Sequence, residues 1–544
     1  MSKIKIFSLG GLDENGKNTY IIEVDNDIFV FDCGLKYAMD TMYGIDYIIP
    51  NYDYLVNNKD RIKGIFLTHS HPENAGGIKD LIKELPKVKV YATKYTHNIL
   101  KLDGVNDKNI VEILPHKKIN FGNISIFPIS VSHSVPDSVM YVINTSDGAI
   151  VYTGDFIIDP AMSGSYGMDL GKIAYIGKLG VLCLLSESVF SEHIGHTSPT
   201  HRLESFFTDI VNRNENRIIF SIFASHLYTI QEIFNALANS HRKIVIMGHK
   251  LQNVINMAIN DGYLHVNKNL IGDLSNIKDK NSVLLVSDDK EKPYQAISKI
   301  VNKTDRFITL NENDTICFAT PKYDSNEKLL VKLLDEIAYA GAKSITIPKD
   351  KNILHHASSE DLMLMLRLIN PKYYMPIKGE YRYLVENANL AYALDLPKEN
   401  ILLKQNGDVV LFENGKLIDT NEHIPVNDVL IDGISNDDIG DLVVKDREVL
   451  SENGIVLISA TLAKKGKKIL YGPEVITRGF IYIKDSTDMI NEIKKISLDI
   501  INSNIVNNYI DYNKVKQEIR ENLSKYLYNE TDCNPMIIAV IQEI

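Results

Sequence analysis

The chain has 544 residues, room for about three to five domains of ordinary size. Apolar residues make up 44% and charged residues 24%, which excludes wholesale disorder. With 59 Lys and Arg against 70 Asp and Glu the formal charge is −11, which excludes a uniformly cationic surface but not a local basic cleft.

The opening MSKIKIFSLGG has two lysines and a short alternating stretch, and predicts a first strand rather than a signal peptide. No run approaches the roughly 18 apolar residues that a bilayer crossing needs. TYIIEV and DIFVFDCG predict a hairpin across Asp25, Asn26 and Asp27. A short apolar strand at 64–68 precedes a predicted helix over 74–87, with Gly76 and Gly77 near its start. VKVYAT, NISIFPISV, VMYVINT and AIVYTGDF add strands, so this β-rich part predicts a layered sandwich with helices outside.

From about residue 200 the pattern changes. RLESFFTDIVNR, YTIQEIFNALANS and LQNVINMAIN have helical period, and alternate with the apolar runs RIIFSIFA, KIVIMG, SVLLVS and DTICFAT. That alternation predicts a parallel α/β sheet, which EKLLVKLLDEIAYAGAKSITIP continues. EDLMLMLRLINPKYYMPIKGE resumes a helix–strand–loop unit, and NGDVVLFENGKLI predicts a hairpin. HIPVNDVLIDGISNDDIGD, rich in Asp, Asn and Gly, predicts a linker. Beyond residue 445, strands GIVLISATLA, KKILYGPEVI and FIYIK, helices over 487–506 and 512–529, and a last strand MIIAVIQEI predict a small α/β module. Cys33, Cys183, Cys317 and Cys533 are far apart and form no CxxC pair, as expected of buried thiols in a reducing cytosol.

The strongest chemical signal is Thr68-His69-Ser70-His71-Pro72-Glu73-Asn74 at a strand end. Histidines at i and i+2 leave a strand on the same side and can converge on one ion. A bare HxH is ordinarily a pair of polar loop histidines. The set gains meaning from two further strand ends, Ser132-His133-Ser134 and Thr153-Gly154-Asp155.

Together these stretches resemble the metallo-β-lactamase family, and the likeness extends over nearly the whole chain to ribonuclease J. It is carried by GGLDENGKNTYIIEVDNDIFVFDCGL, KGIFLTHSHPENAGGI, SVPDSVMYVINTSDGAIVYTGDF, NPKYYMPIKGEYRYL and GPEVITRGFIYIKDS. The resemblance implies an α/β fold: an αββα sandwich with an inserted β-CASP α/β domain and a small C-terminal α/β domain. The expected boundaries are 1–200 and 351–425 for the sandwich, 201–350 for the insert, 426–446 for the linker and 447–544 for the C-terminal domain.

The departures from the family pattern fall on one side of the pocket. The resemblance implies a first metal site of His69, His71, His133 and Asp155, all present. Its second site would use an HxHxDH Asp and His and a PxHGE His; here these are Glu73, Asn74 and Lys378. Asn is a poor zinc ligand and an ammonium has no lone pair. Lys378 is therefore expected where the second ion would be, neutralising Asp155 and Glu73. Glu73 reads either as a residual general base or as a solvated carboxylate at a helix start.

Phosphate handling is also reduced. Ser225, His226, His356 and Ser358 are the residues left to contact RNA or a 5′ phosphate. Asp288 and Asp289 would repel RNA or mark a surface turn. Lys464, Lys465, Lys467 and Lys468 read as a hairpin turn before a nucleic-acid contact. Asp46 and Asp432 fall where the resemblance implies a structural calcium.

The expectation is a degenerate ribonuclease J paralogue, like the second subunit of some Gram-positive bacteria. It would bind RNA, hold at most one zinc or manganese ion, and assemble with itself or with an active paralogue and other RNA-degradation proteins. Its expected place is the cytoplasm, off the membrane. The alternatives are an active 5′-to-3′ exoribonuclease or endoribonuclease, and a single-metal hydrolase of esters or lactones.

Overall fold

A computed structural model describes residues 2–38, 42, 44–287, 293–320, 327–351, 354–432, 441–480 and 487–544. The chain divides into two compact units: 1–37 with 48–428, and 38–47 with 429–544.

In the larger unit, alternating apolar residues build two facing sheets. One has eight strands in the order Lys416–Ile418, Val410–Glu413, Lys3–Gly10, Thr19–Val24, Asp27–Phe31, Ile62–Phe66, Val90–Ala92 and Ile110–Glu112. The other has six, in the order Tyr373–Ile377, Val181–Glu187, Gly148–Tyr152, Val139–Thr145, Ile124–Ser130 and Ile119–Phe121. Between them lies a core that includes Tyr20, Phe29, Phe31, Phe66, Tyr141 and Tyr152. Helices Leu170–Leu179, Ser359–Ile369 and Tyr381–Ala393 cover the outer face of the second sheet through a separate cluster. A Cβ on Gly177 would stand 2.0 Å from the Leu368 carbonyl oxygen, so only glycine permits that helix crossing. The sandwich is the metallo-β-lactamase architecture that the resemblance implied.

The predicted helix over 74–87 is two pieces, Pro72–Ala75 and Ile78–Glu84. Gly76 and Gly77 separate them because neighbouring chain presses close. A Cβ on Gly76 would meet the Leu35 side chain at 2.6 Å, and the Gly77 amide donates to the Cys33 carbonyl.

The insert is a five-stranded, all-parallel sheet in the order Ile244–Met247, Val283–Val286, Ile218–Ser221, Thr315–Phe318 and Lys343–Thr346. Two clusters pack helices against its faces. The chain then returns to the sandwich, where Tyr373–Ile377 pairs in parallel with Val181–Glu187 and sets Ile377 beside Glu187. That register delivers Lys378 to the pocket.

In the second unit, strands Ile469–Arg478, Ile455–Leu462 and Met536–Glu543 form a sheet. Helices Thr487–Ser503 and Tyr512–Thr531 share one core cluster with it. The expected linker, 426–446, holds regular structure: strand Asp428–Ile431 near its start, and helix Asp441–Asn453 beginning within it. Most of FIYIK lies outside the described residues. Cys33, Cys183 and Cys317 are buried and all four cysteines are free thiols. Among the described residues no helix is long and apolar enough to cross a membrane.

Candidate metal centre

Three strand ends deliver the four candidate ligands. His69 and His71 follow Ile62–Phe66, His133 follows Ile124–Ser130, and Asp155 follows Gly148–Tyr152. One ligand atom from each lies within 4.8 Å of the others, and all four residues are buried. The three ring centroids are 4.6–4.8 Å apart.

Their hydrogen bonds fix the proton positions. Thr68 Oγ1 donates to Asp32 at 2.9 Å, so it accepts from His69 Nδ1 at 2.9 Å. The lone pair of His69 is thereby left at Nε2, 3.3 Å from Asp155 Oδ2 and without a hydrogen-bond partner. His133 Nδ1 donates to the His355 carbonyl at 2.9 Å, so its Nε2 carries a lone pair, 3.2 Å from His71 Nδ1. The other nitrogen of His71 meets Ser134 Oγ at 3.1 Å. Burial holds His69 and His133 well below the ordinary imidazole range, so both are neutral. Three imidazoles and one carboxylate converging in this way fit a tetrahedral divalent ion such as zinc.

The neighbouring position is built differently. Lys378 Nζ donates to Asp155 Oδ1 at 2.6 Å and lies 3.7 Å from Asp32 Oδ2. It is 1% exposed and sits over the Tyr152 ring at 5.5 Å. Burial opposes its charge, but Asp155 and Asp32 outweigh burial and raise its pKa. Burial likewise opposes the Asp155 carboxylate, and Lys378 overrides it and lowers that pKa. Asn74 Nδ2 donates to Asp32 Oδ2 at 2.7 Å, while its carbonyl accepts from Asn18. Here the Lys378 ammonium has no lone pair to offer, and the Asn74 amide is engaged by Asp32 and Asn18. The carboxylates around Lys378 are Asp155 and Asp32, which corrects the expected pairing with Glu73. Glu73 lies 3.6 Å from His71 Nδ1, with a third of its side chain exposed.

His356 belongs to the pocket wall. Asp155, Glu187 and His356 form a second buried cluster. His356 Nδ1 is 2.6 Å from Glu187 Oε2, and Glu187 Oε1 accepts from the Phe156 amide at 2.7 Å. Burial would lower the His356 pKa, but Glu187 overrides it and raises it to about 9. Ser358 Oγ is 2.8 Å from Thr197 Oγ1 and caps its own helix. Ser225 is half-buried in the turn after Ile218–Ser221. Next to it, His226 stacks on His71 with centroids 5.6 Å apart and planes at 28°.

Elsewhere the expectations meet simpler surroundings. In the smaller unit the Asp46 amide donates to Ile431, and Arg447 Nη2 lies 3.9 Å from Asp432 Oδ2. Lys464, Lys465 and Lys468 flank the turn at Gly466, and Lys467 pairs with Glu543 at 2.7 Å. Asp288 and Asp289 lie outside the described residues.

Sequence reasoning passed over Asp32, Glu187 and His355, and gave Thr68 no role of its own. Asp32 and Glu187 carried a readable signal, since each is a carboxylate closing a largely apolar strand run, FVFD and LCLLSE. A charge there is buried and needs partners.

Comparison with known proteins follows this geometry. The model described as "Metallo-beta-lactamase superfamily" matches residues 12–166, "Ribonuclease J, beta-CASP domain" residues 215–337, and "Ribonuclease J C-terminal domain" residues 442–544. The chain is 36% identical over 549 residues to "Ribonuclease J2" of Bacillus subtilis, covering 99% of both chains. It is 34% identical over 550 residues to "Ribonuclease J 2" of Staphylococcus aureus, covering 99% of this chain and 98% of the relative. A crystal structure of a protein of unknown function from Enterococcus faecalis aligns with TM-score 0.52 at 17% identity, over 75% of this chain and all of that one, which supports the fold alone.

Proposed function

The chain belongs to the ribonuclease J family, and we propose that it serves RNA processing and decay as a catalytically impaired member holding at most one zinc or manganese ion. One observation carries this reading: the buried ammonium of Lys378 hydrogen-bonded to Asp155. Two-metal phosphodiester cleavage needs ions about 3.5–4 Å apart, one to activate water and both to brace the displacement. Here a fixed cation takes the second place and cannot carry a hydroxide.

A single ion would be held by His69 Nε2, His71 Nδ1, His133 Nε2 and Asp155 Oδ2, where it would supply Lewis-acid polarisation of a phosphoryl oxygen. Thr68 and the His355 carbonyl hold His69 and His133 in the tautomers that ligation requires. Lys378 keeps Asp155 ionised and fixes its orientation.

The chain then acts chiefly by binding RNA and by assembling, with itself or with an active family member and other RNA-degradation proteins, in the cytoplasm. The names of its full-length relatives support the ribonuclease J context, and the match of the C-terminal domain supports a retained assembly role. One observation favours a second reading, weak residual hydrolysis with Glu73 as base: its partly exposed carboxylate beside His71.

The test is an RNA cleavage assay with manganese or zinc, run with this chain alone and mixed with an active family member. Expected are feeble trimming alone and co-purification of the pair. Robust trimming by the lone chain, abolished in His71→Ala, would contradict the impaired reading.

A further inference from the structure

We propose that His226 is a positioning residue through which an ion at His69, His71, His133 and Asp155 tightens the inserted domain against the sandwich. This rests on the single-ion reading above and concerns what that ion does to the fold rather than to RNA.

His226 belongs to the insert, immediately before helix Leu227–Leu237, yet its ring lies on a ligand of the sandwich. It is 7% exposed and its Nδ1 has no hydrogen-bond partner among the described residues. Buried with that nitrogen unpartnered, the ring presents its face to His71. Two residues on, the Tyr228 amide donates to the Ser134 carbonyl at 3.0 Å, and Ser134 Oγ contacts His71 Nε2. The Tyr228 ring packs on His355 at 5.1 Å. The carbonyl of His355 in turn fixes His133, on the strap that returns from the insert. Two of the four ligands are thus braced by residues on, or packed against, the first turn of one helix of the insert.

The sign of the coupling follows from electrostatics. Without an ion, His71 and His226 are two stacked rings held by dispersion. An imidazole bound to a divalent ion carries part of its positive charge, and the face of a neutral aromatic ring attracts cations. Ion binding therefore strengthens the stack, and by reciprocity the stack strengthens ion binding. A desolvated contact of this type corresponds to roughly three- to tenfold in affinity.

The experiment uses the full-length chain and zinc alone. Zinc affinity is measured by competition with a chromophoric chelator, and hydrogen exchange is followed across helix Leu227–Leu237 with and without zinc. Expected are zinc-dependent protection of that helix in the wild type, and affinity lowered roughly three- to tenfold in His226→Ala with the protection response lost. His226→Phe keeps the ring face and is expected to restore affinity to within about twofold. Its recovery separates the stack from general loss of structure. Equal zinc affinity in His226→Ala and wild type, or zinc protection confined to the 69–74 loop, would overturn the proposal while leaving the single-ion reading intact. No zinc uptake by the wild type would remove both.

Discussion

The Lys378 ammonium and the Asp155 carboxylate form a buried pair at 2.6 Å, and the second oxygen of that carboxylate faces His69 Nε2 at 3.3 Å. Asp155 is shared between a side-chain cation and an imidazole ligand set. The predictions below start from that division.

Replacing Lys378 by Met should leave Asp155 and Asp32 buried without their cation. Removing one partner of a buried pair costs about 3–5 kcal/mol. Thermal unfolding should therefore show a clear fall in Tm, partly reversed by added zinc or manganese through mass action. An unchanged Tm without metal would contradict the assigned role of Lys378.

Combining Lys378→His with Asn74→His and Glu73→Asp should rebuild the second donor set. Metal content should rise to two ions per chain, with RNA cleavage gaining on the order of a hundredfold or more. A triple variant that still binds one ion would show that more than these three side chains prevents the second.

A 5′ monophosphate should add little to RNA affinity. Ser358 Oγ is engaged by Thr197, His356 by Glu187, and His226 is neutral. A hydrogen bond to a charged group is worth about 1.5–3 kcal/mol, so one free site would give more than tenfold. Fluorescence anisotropy should instead find Kd values for 5′-phosphorylated and 5′-hydroxyl RNA within about twofold of each other.

Glu232 supplies a pH signature remote from the pocket. Its Oε1 accepts from the Leu203 and Glu204 amides, but its Oε2 has no hydrogen-bond partner among the described residues. Burial raises its pKa to about 7 despite the two amides. A carboxyl whose folded pKa is raised stabilises the fold fully below its unfolded pKa, about 4.3. That contribution is lost as pH rises from there through about 7. Glu232→Gln should flatten this dependence and stabilise the chain at pH 8 by on the order of 2 kcal/mol. Parallel Tm-versus-pH curves for variant and wild type would refute it.

The fold was legible where periodicity was strong. The β-rich sandwich and the alternating insert follow from apolar runs such as VMYVINT and SVLLVS, which become strands Val139–Thr145 and Val283–Val286. Helix Lys94–Leu102 was passed over although Tyr95, Ile99 and Leu100 lie at helical spacing on its buried face, and Tyr381–Ala393 because YRYLVENANLAYA mixes polar and apolar residues without a clean stripe. Helix Asp441–Asn453 escaped notice because it begins in an acidic run that reads as linker. In the pocket, His69, His71, His133 and Asp155 were readable at the ends of apolar runs, whereas Lys378 entered only through the resemblance to ribonuclease J. Asp32 as the second partner of Lys378 was not readable, because the pairing joins residues far apart in the chain. Residue type announces a buried charge, but only the packed sheets say which charges meet.

The most direct test is the number of ions per chain, measured by inductively coupled plasma mass spectrometry on full-length protein equilibrated with excess zinc or manganese and then desalted. The account predicts no more than one, lost when His71 is replaced by Ala. Two ions per chain would contradict it, since the second place would then belong to a metal and not to Lys378.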